Sequence, residues 1–439
     1  MSITPVEVGL ISVVFLFAAI LIGIHIGISL AAISVAGLWC ITGDFGVSLK
    51  LLGTTAYGGV MEYVFASLPM FILMGALSSV SGASKELYDS ANILLARVRG
   101  GLGITTVIAN AVFAAITGAS VASAAVFSKV AYPEMRRLGY DRRFALGTVA
   151  GSSILGMLIP PSGLMIIYGI LTEEAIGRLF MAGVLPGILL SMVYAIGIYL
   201  IVLIRPRLGG QRPDIESLNW GSIARMMLKP WGVVALVCLV LGGMYLGLFT
   251  PTEAGAIGSF GGFALALIKR KLTPSILWST LLETGYITAS IFFLLITAQM
   301  YSQMLTISGL AAKSGEFITS LSVSPIVVIL VFVLIFIVLG CILDSTSILL
   351  VCIPLMIPSV KILGFDMIWF GIVTVVAVEM GLVTPPFGMV VFAMKSVLMD
   401  EATIEDIFTG SVPFVIMMAF VLVLLMIFPW ISTWMPSHM

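Results

Sequence analysis

Long apolar runs alternate with short polar interruptions along this chain, and the runs have the length of membrane-crossing helices. A helix needs about 20 apolar residues to cross a bilayer core of ~30 Å. Parsed at that length, the pattern predicts spans at residues 6–22, 27–42, 54–82, 142–172, 180–204, 231–249, 253–268, 280–307, 366–399 and 411–431. Segments 83–100 and 269–282 mix charged with apolar residues, which predicts amphipathic helices along the membrane surface.

Two further apolar segments, 101–136 and 324–360, are interrupted near their middle. The interruptions at 117–123 and 344–347 are short polar stretches rich in Ser and Thr. Each segment is too short for two full crossings, so we expect re-entrant helical hairpins with polar tips. The predicted fold class is therefore an all-α polytopic membrane protein with about ten transmembrane spans and two re-entrant hairpins.

The second half of the chain repeats the first. Residues 138–141 (Leu-Gly-Tyr-Asp) recur at 363–366 (Leu-Gly-Phe-Asp), an offset of 225 residues (363 − 138). The same offset superposes Ser120 on Ser345, Gly156 on Gly381, and Pro160-Pro161 on Pro385-Pro386. We predict two repeats, 1–204 and 231–439, joined by a cytoplasmic linker at 205–230. Each repeat has an odd number of spans, so the second must be inverted relative to the first.

The distribution of basic residues agrees with inversion. Loop 129–143 carries Lys129, Arg136, Arg137, Arg142 and Arg143, whereas its repeat mate, 354–368, carries Lys361 alone. The positive-inside rule places the first loop in the cytoplasm and the second outside.

Composition excludes several functional classes. Only 10% of residues are charged and 60% are hydrophobic, whereas about 25% are charged in soluble proteins. Equal numbers of basic and acidic residues (21 each) give no positive field for a nucleic-acid partner. The chain has no Gly-Lys dipeptide for a Walker A loop, only two histidines, and no G-x-S-x-G motif. We expect no enzymatic chemistry and no organic cofactor, which leaves transport or another passive membrane role.

Two of the predicted spans are broken by paired prolines, at Pro160-Pro161 and Pro385-Pro386. Proline has no backbone N–H, so the carbonyls four residues earlier lose their helical donors. Such carbonyls are tolerated in a membrane where they line a polar cavity or bind a cation. Together with nearby hydroxyls they form an oxygen-only site suited to Na⁺. Inverted repeats with broken helices are typical of secondary transporters.

The hairpin tips predict where an anionic ligand binds. Helix N-termini that begin at the tips, 117–123 and 344–347, would provide partial positive charge and free N–H groups. Asp344 and Glu379 are further candidates, because a carboxylate at membrane depth is unfavourable and usually functional. The alternative for Asp344 is a helix N-cap in a water-filled vestibule. Asn110 is expected to hydrogen-bond between the arms of the first hairpin.

Several segments resemble the large membrane subunit of tripartite ATP-independent periplasmic (TRAP) transporters, the DctM-like family. The resemblance rests on residues 113–120 (Phe-Ala-Ala-Ile-Thr-Gly-Ala-Ser), 158–162 (Leu-Ile-Pro-Pro-Ser) and 384–388 (Thr-Pro-Pro-Phe-Gly), and extends over nearly the whole chain. It implies an elevator-type Na⁺ symporter of organic acids, such as C4-dicarboxylates, sialic acid or another carboxylate or sulfonate. The moving transport domain would comprise approximately 101–172 and 324–399, and the rest would form a scaffold.

The resemblance also implies partners and a location. The partners are a small four-helix membrane subunit (DctQ-like) and a periplasmic substrate-binding protein (DctP-like). The chain itself would be a multi-pass protein of the bacterial inner membrane, in contact with membrane lipid.

The same resemblance implies the ligand residues. Two or more Na⁺ sites are expected. The first would use Ser120, Ser123, Gly156, Ile159 and Pro161, and the second Ser345, Thr346, Gly381, Thr384 and Pro386. The substrate would lie between the tips, with Gly118, Ser120, Ser162, Ser345, Thr346 and Ser347 as candidate contacts. Family members often carry Asn two residues before the Glu of the second break, and here that residue is Ala377.

Two other functions stay open at this point. A stand-alone divalent-anion/Na⁺ symporter shares the inverted architecture and works without a binding protein. A pore-forming or structural membrane protein is the other alternative, and the two helix breaks disfavour it.

Overall fold

The computed structural model describes residues 4–95, 97–211, 228–320 and 323–439, and its regular elements are helical. In that part of the chain the β-type pairing is confined to one isolated bridge, between Tyr140 and Gly209. The predicted all-α fold class is confirmed. Most of the predicted linker, 212–227, lies outside the described residues.

The helices fall into two series. The first comprises α1 (Pro5–Leu21), α2 (Ile26–Thr42), α3 (Phe45–Met61), α4 (Ser67–Val80), α5 (Ala83–Leu95), α6 (Gly101–Thr117), α7 (Ser120–Arg137), α8 (Arg142–Ser153), α9 (Leu155–Leu158), α10 (Gly163–Thr172) and α11 (Ile176–Ile204). The second comprises α12 (Trp231–Tyr245), α13 (Pro251–Ile268), α14 (Pro274–Ser308), α15 (Leu310–Ser320), α16 (Pro325–Gly340), α17 (Ser345–Ile362), α18 (Met367–Gly381), α19 (Met389–Leu398), α20 (Ile404–Ile427) and α21 (Trp430–Thr433).

Many of these helices are long and apolar enough to cross a membrane. Within the described ranges, six stretches meet that description by length and composition: Tyr63–Val80, Arg142–Thr172, Ile176–Ile204, Pro274–Ser308, Ser345–Ile362 and Ile404–Ile427. Shorter apolar helices of 10–17 residues accompany them, among them α1, α2, α6, α12, α16 and α18. A helix of 17 residues is ~26 Å long, so these also approach the thickness of the hydrocarbon core.

The helix boundaries follow the internal repeat. Helices α7 and α17 begin 225 residues apart (345 − 120), and so do α8 and α18 (367 − 142). Matching caps explain the second pair: Asp141 accepts the N–H of Phe144 at 3.0 Å, and Asp366 accepts that of Trp369 at 2.8 Å. An Asp at the N-cap satisfies a free helical donor, so the same residue starts the same helix twice.

Helices α8 and α18 begin at opposite ends of α20. Arg143, at the start of α8, pairs with Asp406 near the start of α20 at 2.9 Å. Trp369, at the start of α18, donates to the carbonyl of Leu425 near the end of α20 at 2.8 Å. The two contacts are ~28 Å apart along α20 at 1.5 Å per residue. This is the arrangement that inverted repeats require.

Two boundaries differ from the sequence prediction. The span predicted at 54–82 is two helices, because Asp44 caps α3 by accepting the N–H of Val47 at 3.1 Å and extended Glu62 separates α3 from α4. The equivalent helix of the second half, α14, is continuous over 35 residues. The amphipathic helix predicted at 269–282 was also wrong, because α14 begins within it at Pro274, capped by Thr273. The repeat mate of the amphipathic helix α5 is instead α15.

Candidate functional site

The two hairpin tips differ in how they start their second helix. At the first tip Gly118 has φ +57°, and α7 follows with Ala119 as its N-cap, which provides no side-chain bond. At the second tip Asp344 caps α17, accepting the N–H of Ser347 at 3.0 Å and also the Ser347 hydroxyl proton. Asp344 is therefore a helix N-cap in the structure, and its functional role stays a prediction. Asp344 and Ala119 are repeat mates, so the N–H groups at the start of α7 lack a side-chain cap that those of α17 have.

Each tip packs on the helix break of its own repeat. The N–H of Gly163, just after the first break, donates to the carbonyl of Gly118 at 3.4 Å. In the second repeat the N–H groups of Phe387 and Gly388 both donate to the carbonyl of Cys341 at 3.2 Å. Main-chain bonds of this kind satisfy backbone groups near the helix breaks that have no helical partner.

Glycines at matching positions allow this close packing. A Cβ on Gly156 would lie 3.0 Å from the backbone nitrogen of Ser120, and one on Gly381 would lie 2.5 Å from the Cα of Gly340. A Cβ on Gly118 would lie 2.5 Å from the carbonyl oxygen of Pro161. Any side chain at these positions would push the hairpins away from the breaks.

Glu379 joins the two tips. Its side chain is fully buried. One carboxylate oxygen accepts the hydroxyl proton of Ser120, and the other accepts that of Ser345 at 2.9 Å. Each serine is the first residue of its helix, so the positive ends of α7 and α17 both face this carboxylate. A serine hydroxyl has one proton and two lone pairs. With both protons committed to Glu379, the lone pairs of both oxygens remain free for a cation.

Among the residues predicted for the first Na⁺ site, Ser123 has a distinctive environment. It is fully buried, and its hydroxyl has no hydrogen-bond partner among the described residues. Ile159, beside the break, is extended with ψ 123° rather than helical. Gly156 and Pro161 lie against the first tip, as described above. The structure thus brings this predicted set together around the start of α7.

The residues predicted for the second Na⁺ site are more fully engaged. The Thr384 hydroxyl donates to the carbonyl of Met380 at 2.7 Å, and the N–H of Thr384 donates to the carbonyl of Gly381 at 3.0 Å. Pro386 forms the cis peptide bond Pro385-Pro386, and Pro160-Pro161 is likewise cis.

Of the remaining candidates, Ser162 and Asn110 form hydrogen bonds within the protein and Thr346 lines a cavity. Ser162 is the N-cap of α10, and its hydroxyl accepts the N–H of Met165 at 3.4 Å. Thr346 lines a cavity that the hairpins share with helices α4 and α14. Asn110 donates to Ser152 of α8 at 2.7 Å. The expectation that Asn110 bridges the hairpin arms was wrong, because its partner lies on the broken span.

The cavity has a volume of about 470 Å³, within the range of small-molecule sites. One wall is the first tip and its break, at Thr117, Gly118, Ala119, Pro161 and Gly163. Another part of the lining consists of one face of α4 and one face of α14. Helices predicted as scaffold and hairpins predicted as transport domain therefore meet at this cavity.

Sequence reasoning missed Glu283, which lies on the α14 face of the cavity. Span 280–307 was interpreted as nearly uniformly apolar scaffold. A single acidic residue inside an apolar span was the signal, because intramembrane ionisable residues are functional candidates by default. The cavity itself could not be foreseen, since it depends on helices far apart in sequence.

The fold and the site together define a class: a helical membrane transporter with two hairpins and two interrupted helices, in which both hairpins and the first interrupted helix border a ligand-sized cavity. The fold is similar to that of the YdaH transporter of Alcanivorax borkumensis, with a TM-score of 0.64 and 18% identity over 87% of this chain and 89% of that chain. It is also similar to MtrF of Neisseria gonorrhoeae, with a TM-score of 0.63 and 11% identity over 97% and 94% of the two chains.

The chain belongs to the DctM family. The family model "Tripartite ATP-independent periplasmic transporter, DctM component" matches residues 13–431. The C4-dicarboxylate TRAP transporter large permease protein DctM of Pseudomonas aeruginosa is 32% identical over 89% of both chains. The ectoine TRAP transporter large permease protein TeaC of Halomonas elongata is 28% identical over 96% of this chain and 97% of its own. The resemblance inferred from the motifs is confirmed, and the chain is a TRAP-type large permease and a multi-pass membrane protein.

Proposed function

We propose that this protein is the membrane-spanning carrier of a Na⁺-coupled, binding-protein-dependent uptake system for an organic acid in the bacterial inner membrane. The observation that carries the proposal is the pair of hairpin tips joined by Glu379 beside a cavity of about 470 Å³. Family membership supports the carrier role, because the relatives are named as TRAP transporter permeases for several different substrates.

Sodium is the coupling ion that the donor set favours. Hydroxyls, main-chain carbonyls and a carboxylate are hard oxygen ligands, which suit Na⁺ and leave no place for a metal that prefers nitrogen or sulfur. Pro160 and Pro161 stand four residues after Gly156 and Met157. Because proline has no N–H, the carbonyls of Gly156 and Met157 lack their helical donors. Together with the unpartnered hydroxyl of Ser123 they supply oxygens for the first Na⁺ at the start of α7. The second ion would lie at the matching position near Gly381.

Movement of the hairpins past α4 and α14 would give alternating access. The polar groups of the site lie on 101–172 and 324–399, and these two segments are tied together through Glu379. Carried as one unit, they would take the ligand across the membrane while α4 and α14 stay in place. Helices α8 and α18 begin at opposite ends of α20, and this supports the inverted topology on which the mechanism depends.

Two partners follow from the family. A small four-helix membrane subunit would bind the lipid-facing side of the scaffold, and a periplasmic binding protein would deliver the acid to the outer face. Uptake should then saturate with the concentration of loaded binding protein rather than that of free acid.

Reconstitution tests both parts of the proposal. The permease and its small subunit are placed in proteoliposomes with the loaded binding protein outside, and uptake is followed under an inward Na⁺ gradient. We expect accumulation with Na⁺ and none when choline or K⁺ replaces it. Equal uptake in choline would refute Na⁺ coupling. Full-rate uptake of free acid without the binding protein would instead identify a stand-alone symporter.

A further inference from the structure

The charge balance of the cavity bears on the kind of molecule that it accepts. Among the described residues that line it, none is Lys, Arg or His, and the one charged side chain is Glu283. A cavity for a dianion would ordinarily present cationic side chains, since a carboxylate needs charge-assisted donors when it leaves water.

Glu283 lies on a continuous face of α14 that borders the cavity. That face consists of Thr280, Glu283, Thr284, Ile287 and Ile291, the spacing of one side of a helix. Thr280 donates its hydroxyl proton to the carbonyl of Ile276, and Thr284 donates to that of Thr280, both at 2.8 Å. Glu283 has no hydrogen bond or ion pair to another described residue. Its carboxylate is therefore the free polar group on this wall.

The positive helix ends at the hairpin tips are already opposed by carboxylates, so the proposed Na⁺ ions are the positive charge that remains there for an anionic group of the ligand. The N-termini of α7 and α17 face Glu379, and α17 is also capped by Asp344. Two anionic groups on one ligand would thus meet Glu283 on one side and only partly compensated helix ends on the other. Glu283 is exposed to the open cavity, so water screens this repulsion, which still disfavours a second anionic group beside that carboxylate.

One position for a single carboxylate remains, at the start of α7. Ala119 and Ala122 line the cavity there, and Ala119 leaves the first N–H groups of the helix without a side-chain cap. In the same turn the buried Ser123 hydroxyl is one of the oxygens assigned above to the first Na⁺, and that ion would add positive charge beside this position. A carboxylate at this wall would place the remainder of a small ligand toward α14 and Glu283.

We infer that the transported acid carries a cationic nitrogen as well as an acidic group, and that Glu283 binds the nitrogen. The substrate class is then zwitterionic: a carboxylate that contacts the start of α7, and an ammonium or amidinium group that contacts the carboxylate of Glu283. This inference rests on the proposed function and narrows its substrate class. The relatives named for C4-dicarboxylate and for ectoine show that the family itself accepts ligands of different chemistry.

The test compares two series of small molecules matched in length. The purified full chain, in Na⁺ buffer of constant ionic strength, is titrated with α,ω-dicarboxylates of three to six carbons and with the ω-amino acids of the same lengths. Thermal unfolding midpoints report binding. The best ω-amino acid should bind at least about tenfold more tightly than the dicarboxylate of the same length, because it exchanges a repulsion for an ion pair at Glu283.

A matched pair of variants locates the effect. Glu283→Gln should reduce the preference for ω-amino acids to less than about threefold by removing the charge at unchanged shape. Glu405→Gln makes the same change at an exposed glutamate outside the cavity and should keep the full preference.

Three outcomes would overturn the inference: a preference for dicarboxylates, absence of binding by both series, or a zwitterion preference that Glu283→Gln leaves unchanged. None of them depends on Na⁺ coupling, which the uptake experiment above tests separately. Na⁺-driven uptake of a dicarboxylate would keep the proposed function and refute only the zwitterionic substrate.

Discussion

At the scale of single residues, the central feature is a carboxylate shared by two repeat-related serines. Ser120 and Ser345 occupy equivalent positions, whereas the repeat mate of Glu379 is Ile154 (379 − 225). One acidic residue of the second repeat therefore serves both tips. It orients both hydroxyls with their lone pairs free, and so couples the two predicted cation sites to one group.

Replacing these residues should weaken Na⁺ binding without unfolding the protein. Ser120→Ala and Ser345→Ala each remove one donor to a buried carboxylate, which costs ~1.5–3 kcal/mol and predicts an apparent Na⁺ affinity about tenfold or more weaker. Glu379→Gln should have a larger effect, because its amide group donates to one hydroxyl and reverses the orientation of that proton. Uptake as a function of Na⁺ concentration measures each variant.

Ser396→Ala provides the control for this series. The Ser396 hydroxyl is exposed and bonds only the carbonyl of Ala393 in its own helix, so its loss should leave the Na⁺ dependence unchanged. Na⁺ dependence equal to that of the parent in all three site variants would show that the Glu379 bridge plays no part in coupling.

At the scale of helices, a very close contact joins α8 to α20. A Cβ on Gly147 would lie 1.8 Å from the carbonyl oxygen of Gly410, and one on Gly410 would lie 1.9 Å from that of Arg143. The helices approach this closely only because both residues lack a side chain. Small residues at such crossings are how membrane helices gain packing energy in the absence of a hydrophobic driving force.

Adding a methyl group at this crossing should destabilise the protein. Gly147→Ala and Gly410→Ala force backbones apart, and overpacking of this kind costs ~1–3 kcal/mol or more. The midpoint of thermal unfolding in detergent should fall for both. Gly285→Ala is the matched control, because a Cβ at this helical position meets no atom within 4 Å. It should leave the midpoint unchanged or raise it, since Ala favours helix over Gly by about 1 kcal/mol. Equal behaviour of all three variants would contradict the close crossing.

At the scale of the whole molecule, the two repeat-related loops should face opposite sides of the membrane. Arg137 and Lys361 are both exposed, at the ends of the equivalent helices α7 and α17. We expect a cysteine at Arg137 to react only with reagents that reach the cytoplasm, and one at Lys361 only with reagents on the periplasmic side. Labelling of both from one side would overturn the inverted topology.

Sliding of the hairpins past α4 is a second whole-molecule prediction. A Cβ on Gly75 of α4 would lie 3.0 Å from the Cα of Thr117 at the first tip. In a background without Cys40, Cys238, Cys341 and Cys352, none of which forms a disulfide, the pair Gly75→Cys and Thr117→Cys should cross-link on oxidation. The bond would fix the hairpin to α4, so uptake should stop and return on reduction.

Each single cysteine variant controls for the substitution itself and should retain transport under oxidation. Continued transport by the cross-linked double variant would show that α4 and the first hairpin move together, and would contradict a sliding transport domain.

The local features of this protein were determined by its sequence. Apolar length specified the membrane helices, and paired prolines specified the breaks because proline removes helical donors wherever it stands. The 225-residue offset paired Ser120 with Ser345, and in the structure these two serines begin α7 and α17. The capping residue Asp44 was also present in the sequence, and overlooking it produced the error at 54–82.

The convergence of distant groups was decided only by the tertiary structure. Ser120 lies 259 residues from Glu379 along the chain, and no periodicity or spacing relates them. Glu283 was hidden for the same reason, because its significance depends on which face of α14 lies opposite the hairpin tips. The local pattern of apolar and polar residues determines the free energy of forming each helix and of inserting it into the membrane. The partners of a buried carboxylate are selected by packing among all helices together, which is a property of the folded molecule and not of any segment.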